Sequence, residues 1–77
     1  MSVRVRGRVE RRVVGRGSKS ERLAVVLVSA TGDLVLRRRG GHAFRDPALE
    51  ALADREWEFT GEVVETTLIV DSWEPSG

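Results

Sequence analysis

Cysteine is absent from the chain. No disulfide staples it, and no thiolate is there to hold a metal or act as a nucleophile. Imidazole is nearly absent too: His42 is the one histidine. A protein metal site needs at least three ligands, so a metal centre built on His and Cys is excluded. Long apolar runs are missing. The longest, Leu23 to Val28, has six residues, about a third of a membrane span. Aromatics are few: Phe44, Trp57, Phe59 and Trp73. These gaps exclude a disulfide-rich secreted scaffold, a zinc finger and a transmembrane helix bundle. Met1-Ser2-Val3-Arg4 leads straight into a charged alternating run. That is no signal-peptide layout, so the expected location is cytoplasmic, with no membrane partner. At 77 residues the chain makes one domain, 1–77, near the small end of what folds alone.

What is present is charge, unevenly placed. The net charge is +1. Yet residues 1–45 hold twelve of the thirteen bases and three acids, whereas residues 46–77 hold one base and nine acids. A basic half of this kind invites a polyanion partner unless folding brings the acidic half against it.

Residues 3–14 alternate. Val3, Val5, Gly7 and Val9 share one face, and Arg4, Arg6 and Arg8 the other, the period of a half-buried strand. Gly7 in mid-strand signals a bulge, a bend or a close backbone approach. After Glu10 the alternation slips, as a bent or bulged strand would allow. Residues 15–20 are a loop by composition. Residues 21–30 form a second strand with Leu23, Val25 and Leu27 inward, and Thr31-Gly32-Asp33 a tight hairpin. Residues 34–38 form a third strand with Leu34 and Leu36 inward. Asp46-Pro47 starts a short helix to about Asp54, with Asp46 as N-cap and an apolar stripe of Ala48, Leu49, Leu52 and Ala53. Residues 55–64 form a fourth strand with Trp57, Phe59, Gly61 and Val63 on one face. Glu65-Thr66 connects it to a last strand, 67–73.

The order is β-β-β-α-β-β, and five short strands close into a small barrel that removes exposed edges. This order resembles the OB-fold. Gly40, Phe44-Arg45-Asp46-Pro47, Leu49, Leu52 and Phe59-Thr60-Gly61-Glu62-Val63 make the chain similar to small uncharacterised bacterial OB-like proteins. The expected fold is therefore an all-β, five-stranded OB-fold-like barrel with one short helix; the helix length sets it apart from an SH3-like barrel. The resemblance implies that strand one runs antiparallel beside strand four. The outward Arg4, Arg6 and Arg8 would then meet Glu56, Glu58 and Glu62, each pair contributing about 0.2–1 kcal/mol. The alternative is a free basic stripe.

Three places could carry a function. Arg16, Lys19, Arg22, Arg37 and Arg39 form a basic rim able to track a phosphate backbone, although strands two and three lack the aromatics that single-strand binders stack on. Ala24, Val26, Val28 and Val35 form an apolar outer face, which suggests a homodimer or another protein partner unless part of the chain covers it. Arg38-Arg39-Gly40-Gly41-His42 could form an anion nest, and His42 with Asp46 could begin a metal site that lacks the further ligands it needs, against a plain turn with Asp46 capping its helix. No nucleophile–base pair and no phosphate loop is legible, so no enzyme, cofactor or metal is expected. The sequence reading is a small non-catalytic binding or interaction module, working by self-association or protein contact through the outer face of strands two and three. The alternative is weak, salt-sensitive binding of single-stranded nucleic acid through the rim.

Overall fold

The computed structural model describes residues 2–14, 17, 22–40 and 47–76, the side chains of Val14 and Arg22 excepted. It is an all-β fold with one short helix. The strands are β1 (Val3–Val14), β2 (Arg22–Ser29), β3 (Gly32–Arg38), β4 (Glu56–Val64) and β5 (Thr67–Pro75), with α1 (Pro47–Glu50) between β3 and β4. They close into a barrel in the order β1-β2-β3-β5-β4. Every pairing is antiparallel except β3 with β5, which run parallel from Val35↔Thr67 to Arg38↔Val70.

β1 holds two partners in succession. Val3 to Arg8 pair with β4, and Gly7 to Val14 pair with β2. Gly7 lies in both ladders, and a Cβ there would run into the Val28 carbonyl. The glycine expected to mark a bend or a close approach thus marks a close approach. The ladder to β2 runs unbroken to Val14, so the slip in alternation after Glu10 is no bulge. Arg11 and Val13 keep the face of Val9. The strand has simply left the barrel, where that face no longer requires apolar residues.

The bulge is in β5. Thr60 pairs with Ser72 but Gly61 pairs with Val70, so Asp71 is the extra residue. The shift turns Leu68 and Val70 inward before it and Trp73 inward after it. Gly61 sits at this irregularity because a Cβ would meet the Ile69 carbonyl.

The core is Val9, Val25, Leu27, Leu36, Leu49, Leu52, Phe59, Leu68 and Val70, with Val5, Leu34, Ala53, Trp57 and Trp73 packed against it. Trp57 donates its indole N–H to the Leu52 carbonyl at 2.9 Å, satisfying its polar edge. The helix is shorter than its apolar stripe predicts. One i→i+4 bond, Ala51 N to Pro47 O, gives way to i→i+3 bonds, Leu52 N to Leu49 O and Ala53 N to Glu50 O. Asp54 then turns left-handed, with φ 70°. Sheet bonding ends the helix: Asp54 N donates to Val9 O at 2.6 Å, and Val9 N donates to Arg55 O at 2.9 Å. Leu49 and Leu52 reach the core all the same. With four residues in α1, helix length no longer separates this barrel from the SH3 type. The expected N-cap Asp46, along with Phe44, lies outside the described residues.

Candidate functional site

The outer face of the β1–β4 seam holds the predicted charge pairs only in part. Arg6 stands opposite Glu58 and Arg8 opposite Glu56. Arg4 Nε and Arg6 Nη2 each lie 3.7 Å from the one carboxylate of Glu58, with both arginine side chains about two-thirds exposed. Arg8 turns along its own strand to Glu10, at 4.0 Å. Such solvated contacts are each worth about 0–1 kcal/mol. Glu62 does not join them: it lies opposite Ile69 on β5 and acts electrostatically on Arg39. A polar groove of about 330 Å³, lined by Arg4, Glu58, Thr60, Ser72, Trp73 and Glu74, runs along this face.

The basic rim looks different once β3 is seated beside β5. Arg39 donates from Nε to Asp71 Oδ1 at 2.6 Å and from its backbone N–H to Val70 O at 3.1 Å. It therefore clamps the bulge. The hydrogen bond from Arg39 holds the Asp71 carboxyl below its usual range, and the same contact, ahead of the field of Glu62, raises the Arg39 guanidinium. The parallel pairing of β3 with β5 is what brings Asp71 to the rim. Arg37 is exposed on the outer face, opposite Ile69. Arg16 and Lys19 lie outside the described residues, as does the side chain of Arg22. Gly41 of the anion nest, with His42 and Asp46 of the alternative metal pair, also lies outside them. Among the described residues no group of three or more His, Cys, Asp or Glu side chains is placed to hold a metal.

The apolar outer face is covered within the chain. Ala24 is 8% and Val26 4% exposed, and Val28 and Val35 are half-buried. The expectation of an uncovered patch fails at Ala24 and Val26. The register supplies the cover. Arg12 of β1 stands opposite Ala24, Asp33 of β3 opposite Val28, and Val26 sits between Glu10 and Val35. Arg12 Nη1 bonds Asp33 Oδ2 at 2.7 Å, while its Nε and Nη2 bond Glu10 Oε1 at 3.1 and 2.9 Å. The two outer strands flank β2 at about 4.8 Å each, so this bond crosses β2 and lays the arginine's aliphatic stem over it. Glu10 first, then Asp33, raises the Arg12 guanidinium.

The exposed apolar surface is elsewhere. Val13 and Leu23 are directly paired, and they are 44% and 52% exposed. Both lie on the inner-face parity of Val9 and Val25 but beyond the core, on a two-stranded ribbon formed by Arg11–Val14 and Arg22–Val25. Val13 stands about 13 Å along the strand from Val9. Leu23 was expected inside; it has the right parity and no barrel beneath it. No periodicity could have revealed this, because the alternation is unchanged across the barrel's end. Val3, Val63 and Val64 are exposed at the other end of β1 and β4; Val63 and Val64 are neighbours on opposite faces, and their cross-strand partners are the buried Leu68 and the polar Thr67. Comparison with protein families, with curated proteins and with solved structures finds no match to the chain.

Proposed function

We propose that the protein is a small non-catalytic interaction module whose contact surface is the inner face of the β1–β2 ribbon. The observation that carries this reading is the exposed Val13–Leu23 pair on a ribbon that leaves the barrel. A cross-strand apolar pair open to water costs hydration that a partner would relieve, at about 25 cal/mol per Å² buried. The ribbon replaces the outer face of β2 and β3 as the place of contact, since the Arg12–Asp33 bond already covers much of that face. We read the barrel as OB-type; the β-β-β-α-β-β order and the closure β1-β2-β3-β5-β4 support this. In that fold the loop between strands one and two flanks the usual binding face, and the ribbon leads into that loop.

The second reading is weak binding of single-stranded nucleic acid along the basic rim. Arg37 supports it as an exposed cation. Against it stand the engagement of Arg39 by Asp71 and the lack of aromatics on β2 and β3.

Site-specific photo-crosslinking in the cells that make the protein separates the two. A photoreactive residue at position 23 is expected to yield a protein adduct of one discrete mass, lost in Val13→Asp; the same residue at position 28 is expected to yield none. A nucleic-acid adduct at position 37 with no protein adduct at 23 would overturn the protein-contact reading in favour of the second.

A further inference from the structure

Two strands of the ribbon pair with each other and, among the described residues, with no third strand. β4 accompanies β1 only as far as Arg8, and Asp54 and Arg55 extend that side by one residue through Val9. Those two bonds also fix the alternation. In an antiparallel strand, a residue sends its N–H and C=O to the same side, and its neighbours send theirs to the other. Val9 points both groups away from β2. Arg11 and Val13 therefore do the same, and Glu10 and Arg12 bond β2. Among the described residues, the edge of β1 beyond the barrel thus leaves two donors and two acceptors in strand geometry without a partner strand. Unpaired edges of this kind template the addition of another strand.

We infer that this edge takes an extended segment of a partner protein by strand addition, with an acidic residue facing Arg11 and an apolar residue, two positions along, facing Val13 and Leu23. The inference rests on the ribbon being the contact surface and names its occupant. Charge selects that occupant. The stretch from Arg11 to Arg22 carries five bases and one acid in the sequence. On the ribbon's inner face Arg11 is exposed beside the Val13–Leu23 pair. A second copy of this chain fits poorly. Pairing the edge with itself about Arg11 sets Arg11 against its own copy, where like charges directly opposite are destabilising; pairing about Arg12 stacks two guanidinium groups already bound to Glu10 and Asp33; and pairing about Val13 overlaps the two strands only from Arg12 to Val14.

The test titrates isotope-labelled full-length protein with the capped peptide Thr-Glu-Thr-Val-Thr-Glu-Thr-Val-Thr, watching backbone amides and side-chain methyls by NMR. Expected are shifts and slowed hydrogen exchange at the Arg11 and Val13 amides, with methyl shifts at Val13 and Leu23. Val13→Pro removes the outward N–H, which an edge strand tolerates, keeps an apolar side chain at that position, and is expected to weaken binding about tenfold. Arg11→Glu is expected to abolish it and to transfer preference to the peptide with lysine in place of glutamate, a reversal that loss of folding could not produce. Equal binding of the lysine peptide to the unaltered protein, tighter binding of an oligonucleotide at the same amides, or a dimer in sedimentation without peptide would each overturn the inference. Methyl shifts without amide shifts would overturn strand addition and leave the ribbon contact standing. Absence of both, with no protein adduct from position 23, would remove both readings.

Discussion

Replacing Phe59 by alanine is expected to lower the free energy of unfolding by about 3–5 kcal/mol. The ring is fully buried. It stands opposite Val5 on β1 and Trp73 on β5, with the Trp73 ring 6.3 Å away and tilted by 42°. It is also the largest side chain of a core shared by all five strands. Truncation removes its transfer free energy and leaves a cavity that a closed barrel cannot collapse, since each strand is held on both sides. At roughly 0.05–0.15 kcal/mol per residue, a domain of this length has only about 4–12 kcal/mol in all, so the variant loses at least about a quarter of its stability. Urea denaturation checks this. Val13→Ala serves as the control: that side chain is open to solvent, and the change should stay within about 0.5 kcal/mol. Equal losses from the two variants would contradict the placement of the core.

Gly61→Ala and Gly7→Ala are expected to cost about 3 kcal/mol each, the upper part of the range for overpacking. In both cases the added methyl meets a backbone carbonyl of the neighbouring strand, Ile69 for Gly61 and Val28 for Gly7. A side chain could turn aside; a carbonyl held in a ladder cannot. Relief would require β4 to part from β5, or β1 from β2, and either movement opens the barrel. Neither glycine has a positive φ, so the cost is steric and exceeds the gain of about 0.4–1 kcal/mol that alanine brings by stiffening the unfolded chain. For a domain of this size the loss corresponds to about 12–24 °C in melting temperature. Thermal denaturation followed by circular dichroism reads it directly. A shift of a degree or two at both positions would mean that the strands can part there without cost.

The residues that announced themselves in the sequence did so through local chemistry. Val3, Val5 and Val9 alternate with arginines, Trp57 and Phe59 alternate with glutamates, and Gly7 interrupts an apolar face; each of these patterns survives in the structure. Features set by contacts distant in sequence were illegible. The parallel seam of β3 and β5 brings Asp71 to Arg39, and no pattern within either segment marks it. The Arg12–Asp33 bond that roofs β2 joins residues on β1 and β3. A count of outward valines could not foresee that cover. The helix was overestimated for a related reason. Its stripe is correct, but two hydrogen bonds to Val9 take the backbone where the helix would have continued. On the outer face of β2 and β3, Ala24 and Val26 are buried, while Leu23 is exposed despite its inward parity, because parity is readable from sequence and the end of a barrel is not.

Strand addition at the ribbon requires an open edge along β1 beyond Val9. Hydrogen exchange of single amides in the free protein tests it most directly. Glu10 and Arg12 donate to β2 and should exchange slowly, whereas Arg11 and Val13, facing outward, should exchange close to the rate of an unprotected chain. That alternation over four successive residues is the predicted result. Equal protection at all four amides would mean that a further segment already covers the edge, and equal exposure at all four would mean that the ribbon is not formed; either result would contradict the account.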